Sequence, residues 1–482
     1  MNGKREAMDK AKQDFKAAAA QALADPALQK ALFNVKRGFI DKRAAAKAKL
    51  PEFEALREEA RAFKDHTLSH LDLYLEAYER KVTESGGTVH FATSAEDARA
   101  IVLRLCQEAN AKLVTKGKSM VSEEIGLNAH LKAAGIEVVE TDLGEYIVQL
   151  RGERPSHIVA PVIHLNRETI EADFRRAHQR LPRKRRLDQA QYLVAEARAL
   201  LREKFLAADA GITGANLLIA ETGSSVIVTN EGNGDLTSTL PRMHIVIASI
   251  EKIVPTLEDA STILRLLARS ATGQEITTYT TFATGPRRKD DADGPAAYHV
   301  VLLDNGRSEM LGNEFADMLR CIRCGACLNH CPVYGAIGGH AYGSIYPGPM
   351  GAVLTPQLAG IERARDLPNA SSFCGRCEEV CPMDIPLPAM MRAWRERDFV
   401  RGGAPFGERL LLKLWAYAAK RPRLYHVLAG LLAPHLVKRA GIRGRSSRLP
   451  LLKAWTKARD LPAPQGKTFR QLYARDRRRE RQ

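Results

Sequence analysis

Seven of the eight cysteines fall in two short runs, and each run ends in Cys-Pro. The first is Cys321-x2-Cys324-x2-Cys327-x3-Cys331-Pro332 and the second is Cys374-x2-Cys377-x3-Cys381-Pro382. Thiolates are soft ligands that suit iron–sulfur units, and the first spacing is that of a [4Fe–4S] ligand set whose fourth cysteine serves the other cluster of a pair. Two residues between cysteines let the backbone wrap one face of a cube, so the turn supplies three corners. The fourth cysteine stands before a helix-breaking proline and points elsewhere. This pairing assigns Cys321, Cys324, Cys327 and Cys381 to one cluster, and Cys331, Cys374 and Cys377 to the other. The chemistry such groups supply is the carriage of single electrons.

The second set is one thiolate short. A symmetric pair would have a cysteine at position 371, where this chain has Ser371. Three readings stay open: an oxygen or nitrogen donor such as Ser371 or His340 completes the cube, one iron keeps a solvent-derived ligand, or the site holds a three-iron cluster. Zinc is the rival metal, since Cys-x2-Cys pairs also build tetrahedral sites, but seven cysteines with two x3-Cys-Pro endings fit four-ligand zinc poorly. A disulfide framework belongs to small secreted domains and fits worse. Cys106, in the apolar helical stretch Ile101-Val-Leu-Arg-Leu-Cys106, reads as a buried inert thiol.

Around these ligands stand 482 residues, enough for two or three domains, with 45% hydrophobic content. The first fifty residues are charged and alanine-rich with no apolar signal core, and no apolar run is long enough to span a bilayer. The expectation is a cytoplasmic protein. The formal net charge of +17 is concentrated: residues 401–482 carry 21 Lys and Arg against 4 Asp and Glu, which is the whole excess. No nucleic-acid-binding motif accompanies this tail, and the closing Arg475-Asp-Arg-Arg-Arg-Glu-Arg481 reads as a solvated, fraying end. Apolar helical segments at 410–417 and 424–436, flanked by Lys and Arg, suit an anionic partner or peripheral contact with the inner membrane face. A helical cap packed on the cluster domain is the plainer reading.

Residues 1–80 read as helices, with Phe15, Ala18, Ala22 and Leu28 at helical spacing and Pro26 and Pro51 as punctuation. Residues 81–305 alternate strand and helix. Strands are expected over 111–115, 136–141, 157–162, 216–220, 225–229 and 244–249, with helices over 95–110 and 256–270. That pattern argues an α/β domain on a largely parallel sheet. Its candidate polar groups are Glu123, Glu124, Glu140, Asp142, His157, His164, Glu221, Thr222 and Asn230, each of which has a plain reading as a cap or turn residue. Lys116-Gly-Lys-Ser119 echoes a phosphate loop but lacks the upstream glycine. Residues 306–400 form the cluster domain, with helices leading into each cysteine run. Its glycine-rich stretch 338–355 is expected as a flexible covering over the clusters. Residues 401–482 form a basic helical segment.

Several stretches carry a family likeness: Lys116-Gly-Lys-Ser-Met-Val-Ser-Glu-Glu124, Glu140-Thr-Asp-Leu-Gly-Glu-Tyr-Ile-Val-Gln149, Pro155-Ser-His-Ile-Val-Ala-Pro161, Glu221-Thr-Gly-Ser-Ser225, Asn230-Glu-Gly-Asn233 and both cysteine runs. Over residues 15–460 the chain resembles the iron–sulfur subunits of bacterial L-lactate utilization, the lactate-utilization protein B family. The resemblance implies an α/β lactate-utilization domain similar in fold to sugar-phosphate isomerases and CoA transferases, then an α-helical ferredoxin-like dicluster domain and a family-specific C-terminal segment. It also implies electron relay, with two partner subunits, in the oxidation of L-lactate to pyruvate. The three-cysteine second motif is the family's usual form. Two other functions remain open: a heterodisulfide-reductase-like catalytic subunit acting through the under-ligated cluster, and a redox-sensing scaffold.

Overall fold

The computed structural model describes residues 14–403, 405–440, 444–446 and 459–480. The expectations for residues 1–13, for much of the 441–458 stretch and for Arg481 lie outside the described residues. One compact unit runs to Asp398 and a second begins at Phe399.

The first unit is built round a six-stranded sheet in which every neighbour runs parallel. Its strands are β1 (Thr88–Ala92), β2 (Leu113–Lys116), β3 (Glu137–Glu140), β4 (Ala210–Gly214), β7 (Met243–Ser249) and β10 (Ala297–Leu303), in the order β1-β10-β7-β4-β2-β3. Every residue of β7 and of β4 is buried, as expected of central strands covered on both faces. A smaller sheet, ordered β8-β5-β6-β9, joins β5 (Leu217–Ile219), β6 (Ser224–Thr229), β8 (Ile253–Val254) and β9 (Tyr279–Ala283). Five of these ten strands went unseen in the sequence. In β4 (Ala-Gly-Ile-Thr-Gly) the glycines mask the strand signal, and Gly211 is there for a packing reason. A Cβ on it would sit 1.8 Å from the Thr237 carbonyl oxygen of the helix Asn233–Thr239.

The strand expected over 157–162 does not form; this stretch is a loop. The cause is local. His157 Nδ1 accepts the backbone N–H groups of Val159 and Ala160, and Ser156 donates both its N–H and its hydroxyl to the Pro161 carbonyl. Backbone groups that a ladder would need are thus satisfied within the loop.

The N-terminal helices are present, including Phe15–Ala24, Pro26–Phe33, Asp41–Ala48, Phe53–Ser69 and Leu71–Glu84. Asp25 caps the second one, and Pro26 occupies its first turn. These helices strap the cysteine region: Leu50, Phe53 and Leu56 share one core with Cys324, Cys327 and Cys381. Arg43 donates to the Val380 carbonyl at 2.8 Å, and Arg57 to the Cys381 carbonyl at 2.7 Å and to Asp384 at 2.6 Å.

Short helices make up the cysteine region, among them Ala326–Asn329, Pro332–Ile337, Gly348–Ala359, Arg376–Glu379 and Leu387–Val400. A 3-10 turn, Ala316–Arg320, leads into the first run, whereas a helix-free stretch precedes the second. The glycine-rich covering differs from expectation: most of 348–359 is a buried helix rather than a flexible flap. Gly351 makes that packing possible, because a Cβ there would lie 1.6 Å from the Tyr346 carbonyl oxygen.

The C-terminal unit contains the helices Phe406–Ala419, Pro422–Ala440 and Phe469–Glu480 and a small antiparallel pair, Arg445–Ser446 with Leu461–Pro462. Leu411, Leu414, Trp415, Leu431 and Leu432 are exposed on it. Among the described residues no helix is long and apolar enough to cross a membrane.

Candidate metal centre

The two cysteine runs fold as repeats of one turn, offset by fifty positions. Arg323 and Phe373, each just before a cysteine, have φ of +60° and +54°, and Gly325 and Gly375, each just after, have +76° and +81°. Left-handed residues on both sides of Cys324 and Cys374 curl the chain so that the flanking thiols converge. In this register Cys331 matches Cys381, and Ser371 stands where Cys321 does.

Two hollows result. The first is lined by Cys321, Cys324, Cys327 and Cys381, with Ile158, Met350, Met383, Ile385 and Leu387 as its apolar wall. The second is lined by Cys331, Cys374 and Cys377, with Ser371, Ser372, Pro349 and Pro388. Each run's last cysteine therefore reaches across to the other run's hollow. All eight cysteines are free thiols, so no disulfide competes. Neighbouring residues of the helix Gly348–Ala359 face the two hollows: Met350 the first, Pro349 the second.

The donor set fits iron–sulfur clusters. Burial pushes the Cys324 and Cys377 thiols up to about 12 and Cys381 to about 11, so these groups resist ionising until a metal replaces the proton. Backbone N–H groups are nevertheless aimed at the sulfurs: Ala326 at Cys324, Val333 and Tyr334 at Cys331, Met383 and Ile385 at Cys381. Such donors reward thiolates and tune the group they bind. Cys374 is the exception. It is exposed, and the Arg376 backbone N–H and the Ser372 side chain lower its pKa. In the first hollow Cys324, Cys327 and Cys381 are buried and Cys321 is half-buried, whereas Cys374 brings the second set to the surface.

His340 does not reach the second hollow. Its Nε2 contacts the Arg154 carbonyl at 2.7 Å and its ring lies 4.4 Å from that of His164. Ser371 Oγ lines that hollow and accepts the Phe373 backbone N–H at 3.1 Å. Cys106 is fully buried and its thiol is pushed up to about 12 by burial alone, as an inert thiol should be.

A buried charge network ties the sheet to the first hollow. Glu124 accepts from Arg307 Nη1 and Nη2 at 3.0 and 2.6 Å, from Asn305 at 2.7 Å and from the Tyr346 hydroxyl at 2.7 Å. Arg307 Nε stands 3.1 Å from Glu251, whose other oxygen is 3.1 Å from Arg323. Burial alone would raise the Glu251 carboxyl, but Arg307 and Arg323 outweigh it and hold the group at about 2. Arg323 sits between two cysteines of the first hollow and stacks 4.8 Å over Tyr346.

Beside that hollow lies a cavity of roughly 320 Å³. It occupies the place where the sheet's winding reverses, outside the carboxyl ends of β2 and β4, where open α/β sheets bind ligands. Lys118 and Ser119 follow β2 into it, Gly214 ends β4 and Asn216 follows it, and Cys324 and Arg323 also line it. Of the nine polar candidates only Asp142 and Asn230 line it. Glu123 and Glu140 instead flank buried Lys116, each at 2.8 Å. His157 Nε2 pairs with Asn329 at 3.0 Å, and burial lowers its pKa to about 4. His164 joins Ser156 and Glu153, while Glu221 accepts the Leu257 N–H at the start of the helix Leu257–Ala271 and Thr222 accepts that of Ser224 in a local turn. Two cavity residues, Lys252 and Arg323, escaped sequence reasoning. Arg323 was open to it, as a cation within the first cysteine run.

Comparison with known proteins follows this division. The LUD domain profile matches residues 75–303, the 4Fe-4S dicluster domain residues 317–385, and the C-terminal domain of lactate utilisation protein B residues 398–478. The chain is 44% identical over 462 residues to the "Uncharacterized electron transport protein YkgF" of Escherichia coli, covering 95% of this chain and 96% of that protein. It is 43% identical over 471 residues to "Lactate utilization protein B" of Bacillus licheniformis, covering 97% and 98%. The protein of that name from Geobacillus thermodenitrificans is 46% identical over 440 residues, covering 91% of each.

Proposed function

Because the chain belongs to the lactate utilization protein B family, we propose that it is the electron-relay subunit of a system that oxidises L-lactate to pyruvate with two partner subunits. The observation that carries this reading is the pair of adjoining cysteine hollows, the second of which carries the exposed Cys374. We assign Cys321, Cys324, Cys327 and Cys381 to one [4Fe–4S] cluster, and Cys331, Cys374 and Cys377 to a second whose fourth donor is an oxygen near Ser371. When bound, such clusters take up and give off one electron at a time. The chain's own part is to hold and insulate them. Met350, Ile385 and Leu387 keep water from the first hollow, backbone N–H groups offset thiolate charge, and the surface position of Cys374 offers a partner its point of contact.

Residues 81–305 then serve as the ligand-binding or docking domain, residues 306–400 as the relay, and residues 401–482 as a docking segment. The exposed apolar side chains of the C-terminal helices, beside many Lys and Arg, support contact with a partner subunit or the inner membrane face. The test is reconstitution. With both partner subunits present, L-lactate should bleach the visible absorbance of this chain's clusters. Lactate turnover by the partners that leaves those clusters oxidised would defeat the proposal.

The exposure of Cys374 and the missing fourth cysteine also suit a catalytic, heterodisulfide-reductase-like second cluster. That reading requires a distinct iron in the Mössbauer spectrum which changes when a thiol or disulfide is added.

A further inference from the structure

The loop 152–166, between the helices Leu143–Arg151 and Arg167–Ala177, leans on the cysteine region at one close contact. A Cβ on Gly339 would lie 1.7 Å from the Ser156 carbonyl oxygen, and that oxygen accepts the Tyr334 hydroxyl at 2.8 Å. His340, next in the chain, is thereby set against the loop, with its ring 4.4 Å from that of His164. Glu153 joins them. One ligand atom from each of Glu153, His164 and His340 lies within 4.8 Å of the others.

The hydrogen bonds around this trio leave two acceptors facing each other. Ser156 has one hydroxyl proton, and the Pro161 carbonyl, which can only accept, takes it at 2.9 Å. His164 Nδ1, 2.7 Å from the same hydroxyl oxygen, must therefore be the N–H. Burial and then His340 lower the His164 pKa to about 4, so its Nε2 carries a lone pair at neutral pH. That lone pair faces Glu153 Oε2 at 3.2 Å. Two ligands of one tetrahedral zinc ion, each bonded at about 2.0–2.1 Å, stand about 3.4 Å apart. The trio also has the outer support that orients metal ligands. Arg151 donates to the other Glu153 oxygen at 2.7 Å, Ser156 orients His164, and the Arg154 carbonyl holds His340 through Nε2 at 2.7 Å.

We propose that Glu153, His164 and His340 bind a divalent transition-metal ion of the zinc type, which clips the loop 152–166 to the cysteine region. Three protein ligands leave a fourth position, and the adjoining cavity of about 250 Å³, which His164 and His340 line, has room for a water there. Zinc has no redox chemistry, so this ion stands apart from the electron path and the inference is independent of the relay. The loop it clips carries Ile158, part of the apolar wall of the first cysteine hollow.

The experiment is equilibrium dialysis of the full, anaerobically purified chain against zinc chloride, with zinc and iron counted on the same samples. Zinc-edge X-ray absorption is recorded on the loaded protein. Wild type should bind a single zinc without losing iron, with nitrogen and oxygen neighbours at about 2.0–2.1 Å and no sulfur. His164→Ala and Glu153→Gln should each weaken binding at least tenfold at unchanged iron. His340→Ala, on an exposed turn, should do the same and carries the test if His164→Ala loses iron. The inference is overturned if wild type with its iron in place binds no zinc, or if Glu153→Gln and His340→Ala both bind it unchanged. Sulfur in the zinc shell also overturns it, since the ion would then sit on the cysteines. A chain without iron defeats the relay, while a sulfur-free zinc shell that the variants abolish still upholds this site.

Discussion

Replacing Arg307 by methionine is the perturbation whose size follows most directly from the structure. The side chain is fully buried, holds Glu124 through two nitrogens and stands 3.1 Å from Glu251. Breaking a buried ion pair from one side costs about 3–5 kcal/mol, because the orphaned charge stays inside. Glu251 keeps Arg323, and Glu124 keeps Asn305 and Tyr346, so about 3 kcal/mol is the expected loss. Urea unfolding followed by circular dichroism at pH 7 should show it as a lower midpoint at unchanged slope. Adding Glu124→Gln to Arg307→Met should recover part of the loss by removing the orphaned charge. The pH dependence has a definite sign. In the wild type, Arg307 and Arg323 depress Glu251 to about 2 from its usual 4.5, so its contribution is complete above about pH 4.5 and is lost as pH falls toward 2. In the variant, burial without Arg307 raises the folded-state pKa of Glu124, so the deficit deepens as pH rises above about 4.5. A double variant no more stable than Arg307→Met, with a deficit flat in pH, would refute this account of the network.

The crossed assignment predicts that Cys381→Ala and Cys321→Ala disturb the same electron paramagnetic resonance signal, while Cys331→Ala and Cys374→Ala disturb the other; a split by sequence run would contradict it. Gly351→Ala drives a Cβ against the Tyr346 carbonyl and displaces the helix facing both hollows. Iron content of the purified variant should fall by more than half, and a normal count would show that helix to be dispensable. Under an iron chelator with mild oxidant, the second cluster should be lost several times faster than the first, because Cys374 is exposed while no thiol of the first set is more than half-exposed and Cys324, Cys327 and Cys381 are buried. Loss at one common rate, followed by iron release and spectra, would contradict the difference in burial.

The cysteine chemistry was legible because ligation dictates both residue type and spacing, and the fifty-residue offset marks Ser371 as the missing corner. Long periodic elements were legible too: the helix Leu257–Ala271 and the strand Met243–Ser249 lie within a residue of expectation. What stayed hidden depends on contacts far apart in the chain. The sequence at 157–162 is a short apolar run that reads as a strand, but His157 captures the N–H groups that a strand would offer. The glycines of β4 read as loop until the helix Asn233–Thr239 is seen packed against Gly211. The cavity is hardest of all, since Lys118, Gly214, Asn230, Lys252 and Arg323 meet only once the sheet and the cysteine region close on one another. Polar residues chosen for local loop chemistry therefore mostly proved to be caps and ion pairs.

The central claim is that this chain carries two iron–sulfur clusters on crossed cysteine sets. The measurement that meets it most directly is iron and acid-labile sulfide per chain after anaerobic purification, with electron paramagnetic resonance before and after dithionite. The account predicts about eight irons and two interacting signals in the reduced state, four irons for each cube. Zinc without iron, or iron enough for a single cluster, would contradict it.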